Sequence, residues 1–143
     1  MKTFRAPRRV CELALGAALL VTAISSAYPA DVSLKLSGAE EVPAVTTAAT
    51  GTGTIVIKSD KSVTGSVKTV GIEGTMAHIH LAPAGKNGPP IISLVKTADN
   101  VWSVPQGSTL TDDQFKSFQE GNLYVNVHSA AHPGGEIRAQ LKP

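Results

Sequence analysis

Apolar and polar residues alternate along much of the chain with a period of two, the pattern of strands that bury one face. In segment 32–36, Val32, Leu34 and Leu36 alternate with Ser33 and Lys35, and Gly38 closes the run. Segment 51–58 (GTGTIVIK) predicts a second strand and 62–70 a third, with Ser59-Asp60-Lys61 as the tight turn between them. Further strands are expected at 75–81, 91–95, 123–128 and 136–141, and a polar, proline-containing connection occupies 39–49. Seven or so short strands separated by turn residues predict an all-β fold, an antiparallel Greek-key β-sandwich. One segment, 110–119 (LTDDQFKSFQ), breaks the period. Thr111 is placed as an N-cap, Asp112 and Asp113 complement the dipole of a first turn, Phe115 and Phe118 share a face, and Gly121 ends it. A short helix lidding one end of the sandwich is expected there, its aromatics facing the core.

The first 27 residues follow a different plan. Lys2, Arg5, Arg8 and Arg9 precede an apolar run at 13–24, and Ser25-Ser26-Ala27 follows it. This is the layout of a cleavable signal peptide, with cleavage expected after Ala27; the alternative, after Ala30, puts bulky Tyr28 at the −3 position. The apolar run is too short for a membrane anchor, which needs about 17–25 residues. The context of Arg8-Arg9 fits a twin-arginine signal poorly, and no small residue directly before Cys11 supports a lipoprotein box. The chain thus reads as 1–27 signal peptide and 28–143 one domain, secreted or periplasmic and not inserted in a membrane after cleavage.

Charge and composition narrow the classes further. Hydrophobic residues at 42% and charged residues at 17% describe a globular chain. The formal charge of +2 belongs to the leader, since from residue 28 onward nine cations face ten acids. That body lacks the clustered basic stripe of a nucleic-acid binder. The single cysteine, Cys11, lies in the leader, so the domain has neither thiol nor disulfide and depends on its packed core.

The candidate chemistry lies in the histidines. All four fall in two tight pairs, His78 with His80 and His128 with His132. On a strand, His78 and His80 share one face about 6.5–7 Å apart, a spacing at which two imidazoles can converge on one metal ion. In 123–128 the apolar Leu123, Val125 and Val127 leave Tyr124, Asn126 and His128 on the outward face, and in 136–141 Glu136, Arg138 and Gln140 are outward. If these strands are neighbours, His78, His80, His128 and, from the following loop, His132 form a metal site. Tyr124, Asn126, Glu136 and Arg138 would then form its rim. Imidazole ligation without thiolate favours copper or zinc. Because neutral imidazole is the ligating form, such a site weakens below about pH 6.5. The alternative is a set of hydrogen-bonded surface histidines, with Glu136 and Arg138 as an exposed ion pair. The loop Gly85-Lys86-Asn87-Gly88-Pro89-Pro90 reads first as a turn and second as a rim of the histidine face. Nucleophile elbow, phosphate loop and zinc-protease helix motifs are all missing, and Ser129 beside His128 is not catalytic geometry.

Two blocks carry a family resemblance. The first is Ala77-His78-Ile79-His80 with Pro83-Ala84-Gly85-Lys86-Asn87-Gly88-Pro89. The second, more specific block is Gly121 to His128 (GNLYVNVH) with His132-Pro133-Gly134-Gly135-Glu136-Ile137-Arg138. Together they resemble the CHRD domain, named after chordin and found also in secreted microbial proteins. The resemblance runs from about Val32 to Leu141 and departs at Ala139, where a glycine is expected. It implies a secreted β-sandwich module and assigns no activity, since fold does not settle function. Three functions stay open: a small binding module with a copper or zinc site, a structural module binding a protein or polysaccharide, and a copper enzyme resembling the copper/zinc superoxide dismutases. The last also place His-x-His on a sandwich strand, but their dinuclear site needs more ligands than four histidines supply. The balance leans away from an enzyme.

Overall fold

The structure, a computed structural model, describes residues 30–143. The predicted signal peptide lies outside the described residues. Nine strands are present: β1 (Ala30–Ser37), β2 (Thr50–Ile57), β3 (Val63–Val70), β4 (Gly74–Leu81), β5 (Pro90–Ser93), β6 (Val95–Ala98), β7 (Val101–Ser103), β8 (Leu123–Ser129) and β9 (Ile137–Leu141). They form one antiparallel sheet in the order β5-β4-β8-β9-β1-β2-β3-β7-β6. Its two edge strands, β5 and β6, follow one another in the chain with only Leu94 between them, so the sheet curls until it nearly closes. The neighbours β4 and β8, and β3 and β7, are joined by long connections, and the first and last strands, β1 and β9, lie side by side, pairing at Ser37 and Arg138.

Period-two patterning places the core. Val32, Leu34 and Leu36 of β1, Ile55 and Ile57 of β2, Ala77 and Ile79 of β4, Leu123, Val125 and Val127 of β8, and Ile137, Ala139 and Leu141 of β9 belong to one apolar cluster. The halves of the sheet meet closely across it. A side chain at Gly74 would abut the Trp102 ring and Val127, and one at Gly51 would press on Ile137. Helix α1 (Asp112–Gln119) forms where the sequence predicts it. Thr111 accepts from the Gln114 amide at 3.2 Å while the Gln114 side chain accepts from the Thr111 amide at 2.9 Å, a reciprocal capping box. Phe118 is buried and Phe115 packs half-buried against the same core. Among the described residues no helix is long and apolar enough to cross a membrane.

The strand expected at 91–95 is two pieces. Leu94 turns inward, its amide donating to the Ala77 carbonyl at 2.9 Å, and the chain then leaves for β6. The β6–β7 hairpin escapes the sequence reading because β6 is exposed at every position and β7 buries only Trp102. Strands of four and three residues at a rim carry too little alternation to be seen.

Ile79 is wholly buried between the outward-facing His78 and His80. Truncation to alanine is expected to lower the free energy of unfolding by about 2–5 kcal/mol, measured by urea denaturation.

Candidate metal centre

The ladder between β4, β8 and β9 sets the polar row. His80 stands opposite Tyr124, His78 opposite Asn126, and Met76 opposite His128. On the other side Tyr124 pairs with Gln140 and Asn126 with Arg138. Residues opposite one another in an antiparallel ladder point to the same face. The predicted outward row therefore exists, but it is not a solvent face: every residue of β8 is buried, and Arg138 is only 1% exposed. A second layer of loops covers it.

Arg138 holds that layer in place. Its guanidinium donates to the Lys86 carbonyl at 2.9 Å, to Gln140 Oε1 at 3.0 Å, and at 3.4 Å to both the Pro83 carbonyl and Asn87 Oδ1. It also lies 3.4 Å from the centre of the Tyr124 ring, a cation–π contact. Gln140 reinforces the same loop by donating to the Ala82 carbonyl at 2.9 Å. Asn87 Nδ2 in turn donates to the Val42 carbonyl at 2.6 Å, tying the loop to the 39–49 connection. Gly88 sits so close to the Leu81 carbonyl that a Cβ there would collide with backbone. The loop at 82–89 is thus the rim of the site.

Three imidazoles converge beneath it. One ligating nitrogen from each of His78, His80 and His128 lies within 4.8 Å of the others. His80 Nδ1 is 2.9 Å from the Gly88 carbonyl, and His128 Nδ1 is 2.9 Å from the Pro133 carbonyl. A carbonyl can only accept, so both Nδ1 atoms carry the proton and both Nε2 atoms present a lone pair. His128 Nε2 is 3.0 Å from His78 Nδ1, and His80 Nε2 is buried with no hydrogen-bond partner. Two nitrogens on one tetrahedral ion with bonds of 2.0–2.1 Å are about 3.3 Å apart, so these groups are close enough to hold a metal. Backbone carbonyls orienting ligand imidazoles are the usual outer support of such sites. His80 stacks on Tyr124 with centroids 4.7 Å apart and planes at 6°, which fixes its ring as well.

Burial pushes the pKa of His78, His80 and His128 below the ordinary 6.5, and for His78 the neighbouring imidazoles add to it. Burial likewise raises the Glu41 carboxyl above its ordinary 4.5, only partly opposed by the Arg138 charge and the Asn126 amide beside it. Gly135, at φ +129, lets the loop pass directly over this pair, since a Cβ there would lie 2.5 Å from Glu41 Oε1 and 2.6 Å from Asn126 Nδ2.

The predicted residues divide. His78, His80 and His128 come together, with Tyr124, Asn126 and Arg138 around them. His132 does not join that group. It lies in the loop after β8, where its amide and carbonyl close a turn on Ser129. Glu136 is no exposed partner of Arg138. It is buried and accepts from the Thr47 hydroxyl at 2.7 Å. Burial would raise its carboxyl, but hydrogen bonds from Ser129 and Thr47 and the nearby His132 outweigh that and leave it lowered. Ser129 Oγ accepts from the His132 amide at 3.1 Å, so it is not poised on an imidazole. Glu41 is the residue the sequence does not announce: it follows an exposed Glu40 in a polar connection, and only the fold separates the two.

The family model for the CHRD domain matches residues 32–141. No curated protein and no solved structure matches the chain.

Stability should depend on pH with a definite sign. The folded imidazoles lie below 6.5, so the unfolded chain binds more protons as acid is added. Their contribution is complete above pH 6.5 and lost as pH falls through the depressed folded values; Glu41, raised in the fold, acts in the opposite sense. Unfolding free energy of the metal-free protein is expected to fall between about pH 7 and pH 5, and more shallowly in the His78→Ala/His80→Ala/His128→Ala variant. A series of urea melts measures both slopes. Arg138→Met is expected to cost about 3–5 kcal/mol because the Lys86 and Pro83 carbonyls and Gln140 Oε1 lose their buried donor and Glu41 loses the charge that opposes its burial. Adding Glu41→Gln should recover part of that loss in the same assay.

Proposed function

Because the chain belongs to the CHRD domain family, we propose that it is a secreted or periplasmic binding module whose ligand is a copper or zinc ion held by His78, His80 and His128. The observation that carries this reading is His80 Nε2, a buried lone pair without a partner, with one ring nitrogen each of His78 and His128 within 4.8 Å. An unsatisfied buried acceptor costs about 1–3 kcal/mol, and a bound cation converts that cost into a coordinate bond. Imidazole donors suit copper and zinc alike, whereas calcium and magnesium take oxygen ligands. The half-buried His78 leaves the cluster open to solvent on one side, while His80 and His128 form its buried wall. Export fits the leader read at residues 1–27, ahead of the matched domain.

The role is binding rather than turnover. Two of the three imidazoles have their second nitrogen committed to a backbone carbonyl, which serves ligation and leaves neither as a free proton shuttle. Arg138 is spent on holding the loop at 82–89, and Glu41 is not among the groups that converge on the imidazoles.

Titrating the untagged protein with copper(II) or zinc(II) is expected to give about one ion per chain and a raised melting temperature. The His78→Ala/His80→Ala variant should lose both effects. Absence of saturable binding to either metal sinks the proposal and favours a module that recognises a protein or polysaccharide through its surface.

A further inference from the structure

Three imidazoles leave copper and zinc undistinguished, but a fourth residue beside them does not. The chain holds three sulfur atoms, in Met1, Cys11 and Met76, and only Met76 lies in the described domain. It stands on β4 two residues before His78, so Met76, His78 and His80 form one row on one face of the strand. Across the ladder it is the direct partner of His128. Opposed residues place their Cβ atoms about 4.5–5.5 Å apart, within reach of a thioether on a flexible three-bond stem. Met76 is 47% exposed, one of three large apolar side chains in the described residues left so open. Of the other two, Val70 lies on β3, far from the histidines in the sheet order, and Val95, on β6, has no donor atom to offer a metal. The strand irregularity between Gly74 and Met76 begins the polar row at this residue.

Resting on the metal-site reading above, we propose that the Met76 thioether is the fourth ligand of the three-histidine site and selects copper, in the cuprous state, over zinc. A thioether is a soft donor that binds Cu(I) well and adds little for zinc. On the open side of the cluster, beside half-buried His78, it closes coordination from the direction the loops leave uncovered. A single exposed methionine is ordinary in isolation; its place in line with two ligands and opposite the third is what gives it a role.

The test loads the untagged protein, carrying Cys11→Ser, with cuprous ion under anaerobic conditions from a chromophoric chelator, alongside its Met76→Leu version. X-ray absorption at the copper edge is expected to show a sulfur shell in the first and none in the second. The Met76→Leu change should weaken Cu(I) binding on the order of tenfold, the size even an outer partner of a ligand carries. Zinc binding should change by less than about twofold. A nitrogen-only copper shell, equal losses for both metals, or uptake of zinc without copper overturns the role of Met76 and leaves the histidine site standing. Uptake of neither metal overturns the histidine site itself, and this inference with it.

Discussion

The guanidinium of Arg138 is the constraint on which the polar side of this domain rests. A charge buried this completely has to be matched by hydrogen bonds, or the desolvation cost would exceed any stability it brought. The loop at 82–89 provides them, presenting the Pro83 and Lys86 carbonyls and the Asn87 side chain to one planar fork. In return the arginine turns an otherwise loose proline- and glycine-rich segment into a roof over β8. That roof brings the Gly88 carbonyl to His80, and through it the tautomer of an imidazole two strands away from Arg138 is set.

The sheet is consequently buried on both faces over β8, for two different reasons. Its inner side packs Leu123, Val125 and Val127 in an apolar core; its outer side packs Tyr124, Asn126 and His128 under polar loops. The inner layer supplies stability through area removed from water. The outer layer contributes less net energy but greater definition, because each buried polar group accepts few arrangements of its neighbours. Three atoms there stay unpartnered, Glu41 Oε1, Asn126 Oδ1 and His80 Nε2. Among the described residues these are the buried side-chain atoms that lack a hydrogen bond, and His80 Nε2 is the one that belongs to the histidine cluster.

Much of this was legible residue by residue. The alternation in 32–36 and 123–128 identified the core faces, and the Thr111 cap with its two acids identified the helix, because both signals are local. The same alternation put His78, His80 and His128 on one kind of face. It could not separate His128 from His132, since a loop carries no period and the turn closed between Ser129 and His132 is a tertiary detail. Nor could it choose between Glu40 and Glu41. Neighbouring acids in a connection look alike until one is seen beneath Gly135 and beside Asn126.

By itself, then, the amino-acid sequence determined which side chains share a face, where strands and helix begin, and which residues have the chemistry to bind a metal. These follow from backbone geometry that repeats every two or 3.6 residues and needs no partner. Only the tertiary structure decided which strands lie side by side, that the polar row is roofed rather than wet, and which nitrogen of His80 is left bare. Those outcomes depend on contacts between residues some fifty positions apart, such as Arg138 with Lys86 and His78 with His128, and no local pattern encodes a distance across the chain.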